Sequence, residues 1–273
     1  MFRISCFSDE ISADLDEQVE VLDKNNLKFI ELRSVWDKNV LDLSDEELDI
    51  VKMRLSGHGI GISSIGSPIG KVNITDDFDR HLDRFRRAVQ VALEMGTKYI
   101  RIFSFYMDRR ELDKYEPEVI RRIQKMLDIV KENGIVLLHE NEAGIFGETG
   151  ARCQKLFESI DDAHFRAVFD PSNFIIAGED VYDDCFKRLE RFVEYVHVKD
   201  AVYATKEIVP AGKGDGRLKE ILVILSKTES MFLSLEPHLA FAGRFKGYTG
   251  PKLFQVALDA LKAVLEELNL EYC

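Results

Sequence analysis

Short apolar runs alternate along this chain with longer segments of helical period, from the first residues to the last. The short runs read as buried strands: Arg3–Phe7, Phe29–Arg33, Gly61–Ile65, Tyr99–Phe105, Ile135–Glu140, Phe165–Asp170, Tyr195–Asp200 and Met231–Glu236. Between them, apolar positions recur at helical spacing, as in Val119, Ile120, Ile123, Met126, Leu127 and Val130. Boundary signals agree with this reading. Ser44 and Glu47 have capping-box spacing, Pro117 suits a first helical turn, and Gly96 and Gly134 stop helices just before strands. Pro251 opens the last helix. Strands that alternate with helices imply parallel neighbours joined by crossovers, and a doubly wound sheet usually stops near about six strands. Eight complete units predict closure, so the expected fold is one α/β domain over residues 1–273, a (β/α)8 TIM barrel.

The last four strands end in residues that core packing does not explain: Glu140, Asp170, His197 and Glu236. They are separated by about one βα unit each, which puts them on consecutive staves at the C-terminal mouth, where barrels collect their chemistry. A lone strand-end carboxylate is ordinarily a helix cap or a loop charge. Several buried at one rim need a shared counter-charge, because unpaired buried carboxylates are expensive. Three carboxylates and one imidazole suit a single divalent ion: Mn, Zn, Co or Mg.

Composition narrows the partners. The 273 residues are 45% hydrophobic, enough for a large core, and 49 acidic residues against 37 basic ones give a net charge of −12. A net acidic chain is a poor ligand for a nucleic-acid backbone, so none is expected. No apolar stretch approaches the roughly 20 residues of a membrane span, so no membrane partner is expected either. Four scattered cysteines without CxxC spacing suit a reducing compartment, and the expected location is cytoplasmic. A homo-oligomer is compatible with all of this.

The segments Gly134–Asn141, Phe169–Asn173, Val196–Asp200, Ala211–Gly216 and Ser234–His238 resemble the xylose isomerase-like superfamily of TIM barrels, the sugar phosphate isomerases and epimerases. Phe29–Arg33 is similar too. The resemblance implies one divalent metal held by Glu140, Asp170, His197 and Glu236. It implies a small sugar, ketose or sugar phosphate as substrate, and proton transfer by Glu140 and Glu236 through a metal-stabilised enediolate. Many members carry histidine where this chain has Asn173, which can hydrogen-bond a hydroxyl but does not titrate near neutrality. Other expected substrate contacts are Lys199, His238, Glu31 and Arg101. Glu31 could alternatively be a buried acid paired with Arg33 or Arg101. His139 should point outward from the barrel, and His58, His81 and His164 read as surface residues. The glycine turn Ala211–Gly216 and the loop 243–248 are places for an anionic group. Rival readings share the barrel: dehydration of an inosose-like sugar, or a sugar-binding barrel without turnover. A three-zinc nuclease would need more histidines than the six present and a basic groove.

Overall fold

The computed structural model describes residues 1–228, 230–239 and 249–273. Eight parallel strands form its centre: β1 (Phe2–Cys6), β2 (Phe29–Leu32), β3 (Gly61–Ile65), β4 (Tyr99–Ile102), β5 (Val136–Glu140), β6 (Phe165–Phe169), β7 (Val193–Val198) and β8 (Met231–Leu235). They pair in the order β1-β8-β7-β6-β5-β4-β3-β2. The ring closes where Phe7 and Glu31, just past β1 and within β2, form a single parallel bridge. The expected barrel is present, and each expected strand is found.

Helices cover the outside, most of them in the crossovers. These are α1 (Leu15–Lys24), α2 (Asp45–Gly57), α3 (Phe78–Met95), α4 (Leu112–Val130), α5 (Gly150–Ile160) and the short α6 (Pro171–Ala177). A π-helical segment Val181–Phe186 runs into α7 (Lys187–Leu189); α8 (Leu218–Leu225) and α9 (Gly250–Glu267) complete the set. The Ser44–Glu47 capping box forms on α2, and Gly96 and Gly134 stop their helices at φ +71° and +64°. Pro117 is a correction: it lies inside α4, not in its first turn. The helix starts earlier because Asp108 accepts from the Arg110 amide and nucleates the turn Arg109–Glu111 ahead of it. Among the described residues, no helix is long and apolar enough to cross a membrane.

Alternation along the strands sorts the core into two parts. Tyr99, Val136, Leu138, Val168, Tyr195 and Phe232 fill the lumen, and the larger cluster packs strands against helices. Above the lumenal aromatics, the Tyr195 hydroxyl meets Ser63 Oγ at 2.8 Å, and Ser63 meets Ser5 Oγ at 2.6 Å. This small polar layer is the floor beneath the rim acids. His139 points outward as expected, edge-on to Phe157 and Phe165, with burial pushing its pKa down to about 4.

On the β3–β4 side the strands continue as bonded loops. Strand β4 ends at Ile102 rather than Phe105 because Phe103 and Phe105 donate to the Ile69 and Gly70 carbonyls, at 2.8 and 3.1 Å, and Phe105 turns to φ +67°. Gly70 itself sits at φ +89°, where an added Cβ would overlap the Phe103 carbonyl. His81 is a second correction. It is buried on α3, not on the surface, and its Nε2 accepts from the Gly70 amide at 3.0 Å. Burial, aided by Arg122 and Arg84 and opposed by Asp76, pushes its pKa down to about 4.

Two outcomes follow from this loop. Gly70→Ala should lower stability by about 3 kcal/mol through backbone strain and overlap, read as a lower urea midpoint; an unchanged midpoint would contradict the geometry. His81 is neutral in the fold at pH values where it is protonated when unfolded. Its contribution is therefore complete above about 6.5 and is lost as pH falls toward 4. Wild-type stability should fall across that window by up to ~1.4 kcal/mol per pH unit more steeply than that of His81→Gln. Equal slopes would remove His81 as the cause.

Candidate metal centre

Each of the four rim residues is placed by a strand end. Glu140 is the last residue of β5, Asp170 follows β6, His197 lies within β7 and Glu236 follows β8. Asp170 also caps α6: its Oδ1 accepts from the Asn173 amide at 2.9 Å, which leaves Oδ2 turned to the lumen. One ligand-capable atom from each of the four lies within 4.8 Å of all the others, and all four residues are buried.

These atoms meet charged groups rather than well-formed hydrogen bonds. Glu140 Oε2, Asp170 Oδ2 and His197 Nδ1 are buried without a hydrogen bond of normal geometry. Their contacts are ionic, to Lys199, Arg101 and Glu140 at 2.7, 3.2 and 3.3 Å, and since buried polar atoms are nearly always satisfied, the space among them also suits an ion or a proton. Charge gives the same answer. Among the described residues, the carboxylates of Asp9, Glu10, Glu31, Glu140, Asp170 and Glu236 face only Arg33, Arg101 and Lys199 as permanent cations. Burial pushes Asp170 up to about 7 against the pull of Lys199, with the Glu140 and Glu236 charges adding to the rise. Burial disfavours the imidazolium of His197, but Glu31 and Glu140 outweigh it and raise the pKa to about 10. The cluster thus draws in protons to offset its own repulsion, and a divalent cation fits the same place and the same donors.

A second ring holds these side chains. Glu31 Oε2 faces His197 Nε2 at 3.1 Å, which fixes a proton on Nε2 and turns Nδ1 toward Glu140 and Glu236 at 3.3 and 3.8 Å. Glu31 is fully buried, and its partner is this imidazole, not Arg33 or Arg101. Arg101 reaches Glu140 at 3.2 Å; burial works against that carboxylate, but His197 and Arg101 hold it low, at about 2. Lys199 bridges Asp170 Oδ2 at 2.7 Å and Glu236 Oε2 at 3.0 Å. Asn173 Nδ2 donates to Glu140 Oε1 at 3.2 Å and to the Asn141 carbonyl at 2.9 Å, behind the carboxylates. His238 stands 3.1 Å from Glu10 and 3.5 Å from Glu236.

Above the cluster opens a cavity of about 250 Å³ whose lining includes Arg33, Lys71, Arg101, Glu140, Lys199, Glu236 and His238. Of the four rim residues, Glu140 and Glu236 are the two that line it. Several contributors were not singled out in the sequence. Arg33 gathers Asp9, Glu10 and Glu236 at 2.7, 3.0 and 2.8 Å. Asp9 and Glu10 follow β1 closely, the same strand-end signal that marked the other acids. Asn141 exchanges two bonds with the Asp170 backbone, and Lys71 pairs with Glu142 at 2.9 Å. No local pattern marks the last two, because their partners come from other loops.

The glycine turn is placed differently from the sequence reading. The amides of Gly212, Gly214 and Gly216 all donate to the Asp200 carboxylate, so an internal anion takes them. The loop 243–248 lies outside the described residues.

Comparison with known proteins bears on the whole barrel. A search of curated sequences gives no significant match. Solved structures share the fold: a D-tagatose 3-epimerase-like protein is 17% identical with a TM-score of 0.77, covering 98% of each chain. The IOLI protein with a bound zinc atom is 16% identical with a TM-score of 0.76, covering 97% of this chain and 99% of that one. The probable 3-DHS dehydratase AsbF of Bacillus anthracis is 17% identical with a TM-score of 0.73, covering 96% and 99%. The family model for xylose isomerase-like TIM barrels matches residues 19–264, which takes in all four rim residues and all but the first barrel strand. The chain belongs to the xylose isomerase-like TIM barrel family.

Proposed function

We propose that this protein is a divalent-metal-dependent isomerase or epimerase of a sugar of the ketose class, acting on the proton alpha to the carbonyl. The observation that carries the reading is the convergence of four buried metal-ligating side chains, one donor atom of each within 4.8 Å of the others, beneath a polar cavity that two of them line. A divalent cation bound there supplies Lewis acidity toward a carbonyl and its neighbouring hydroxyl.

The chain's own residues divide the remaining work. Glu140 and Glu236 line the cavity from separate strands, so one can take the proton and the other return it at the opposite face or the adjacent carbon. Both are held ionised against burial, Glu140 by His197 and Arg101, and Glu236 by Lys199, His238, His197 and Arg33. Carboxylates held so low are weak bases, so the carbon acid must be strongly activated, which is the cation's part. Asp170 and His197 fix the metal position, and Glu31 acts on substrate only through His197. Arg101, Lys199 and His238 stand where substrate oxygens would lie, while Asn173 orients Glu140.

Three measurements test this. Purified protein should contain a divalent metal. Stripping it should lower the melting temperature, and readdition at about 100 times Kd should return roughly 2.7 kcal/mol. Protein with no metal and no response to Mn, Zn, Co or Mg would end the proposal. Glu31→Gln should weaken metal affinity by about 10- to 100-fold while the fold persists, as loss of an outer-shell partner does; unchanged affinity would remove its positioning role. Glu236→Gln should cut turnover on a ketose panel by about 10²- to 10⁴-fold with binding partly kept, and near-wild-type turnover would refute the proton-transfer role. Product mass separates isomerisation from dehydration.

A further inference from the structure

We infer that Glu10, which stands behind the cavity wall, is a positioning residue for proton transfer. Through Arg33 and His238 it aims the Glu236 carboxylate, separately from the residues that support the metal. The inference rests on the reading above that Glu236 carries a proton, and it gives that step its own support. Glu10 lies in the turn Ser8–Glu10 just after β1 and is 2% exposed. Its Oε1 takes two contacts, from Arg33 Nη2 at 3.0 Å and from His238 Nδ1 at 3.1 Å. Each of those groups turns another nitrogen to Glu236 Oε1, Arg33 Nη1 at 2.8 Å and His238 Nε2 at 3.5 Å. Two bridges therefore join one oxygen of Glu10 to one oxygen of Glu236.

The Arg33 bridge is fixed from several sides. Its three guanidinium nitrogens go to three different carboxylates, with Nε on Asp9 Oδ2 at 2.7 Å. A planar fork held at two corners has one direction left for the third. The guanidinium also lies over the Phe7 ring, 4.4 Å from its centre, and Phe7 stands edge-on to His197 at 5.1 Å. Gly66 leaves room for this stack, since a Cβ there would lie 2.9 Å from the Phe7 ring and 3.0 Å from Arg33 Cβ. The other oxygen of Glu10 accepts from Thr249 Oγ1 at the start of α9, so the carboxylate is itself anchored. His238 keeps a left-handed backbone at φ +45°, a conformation that persists in a non-glycine residue where its surroundings over-determine it.

Different groups support the metal side. Glu31 orients His197, Asn173 and Arg101 hold Glu140, and Lys199 spans Asp170 and Glu236 Oε2. The Glu236 carboxylate is thus divided between two tasks. Its Oε2 faces Lys199 and His197, on the side of the other rim residues, while Oε1 faces Arg33 and His238, which line the cavity. A carboxylate that moves a proton must keep its direction toward the reacting carbon, and a misplacement of about 1 Å can cost roughly 10²-fold in rate. Loss of Glu10 should therefore disturb proton transfer and leave the ion in place.

The test uses the full metal-loaded chain and the ketose that wild type converts. In Glu10→Gln, kcat should fall by about 10- to 100-fold. KM, and the Kd for Mn or Zn measured by calorimetry, should each stay within about threefold of wild type. In a Glu236→Gln background the same substitution should cost less than about twofold more, because its effect passes through that carboxylate. A Glu10→Gln enzyme with kcat within twofold of wild type would overturn the inference. So would metal binding weakened as much as in Glu31→Gln, or a full further loss in the Glu236→Gln background. Should Glu10→Gln fail to fold, Arg33→Lys takes its place with the same expected results, since one ammonium does not reproduce a fork spanning three carboxylates. An active wild type with an unimpaired variant overturns this inference alone, whereas a wild type that converts no ketose overturns the proposed reaction with it.

Discussion

The mutual repulsion of carboxylates at the barrel mouth is the constraint on which the rest of this structure depends. Acids from β2, β5, β6 and β8, with two more from the loop after β1, are brought together and buried at the floor of the cavity. Such a cluster is tolerated only when something positive shares it. Arg33, Arg101 and Lys199 each bridge from one strand end to another, so the fold uses its cations as struts between staves. What they do not neutralise is left where Glu140, Asp170, Glu236 and His197 meet. The four rim residues offer the donors for a divalent ion at that point.

The same constraint explains why the layers below and around the site look as they do. Beneath the acids, a hydroxyl layer of Tyr195, Ser63 and Ser5 grades the polar rim into the aromatic lumen. On the β3–β5 side the loops are hydrogen-bonded into extensions of the strands, through contacts such as Ile74 to Tyr106 and Phe103 to Ile69. A rim built this way holds Lys71, Arg101 and Glu142 on a fixed wall rather than on loose loops. Asp200 does the equivalent on the β7 side, where its carboxylate gathers the glycine turn.

Much of this was legible in the sequence, for identifiable reasons. Apolar runs and helix caps have a short-range signature, so the eight strands and the closure they imply can be read directly. Polar residues at strand ends violate the core pattern, so Glu140, Asp170, His197 and Glu236 stand out. His81 was misread because a histidine in a charged helix gives no sign that its ring turns inward to accept from Gly70, a residue on another element. Pro117 was misread because the cap that starts α4 lies well before it, at Asp108. Glu31 was read as a substrate contact or a partner of Arg33 or Arg101, and its pairing with His197 was missed because barrel closure, which brings β2 across the lumen from β7, creates it. Arg33 was named only as a partner, since its role comes from acids far away in sequence.

The most direct test of the account is a crystal structure of the protein soaked in manganese or zinc, with anomalous scattering recorded. The account predicts one strong peak about 2.0–2.3 Å from Glu140, Asp170, Glu236 and the Nδ1 atom of His197, with Glu31 still bonded to Nε2. No peak among these four side chains, or coordination through Nε2 with Glu31 displaced, would contradict it.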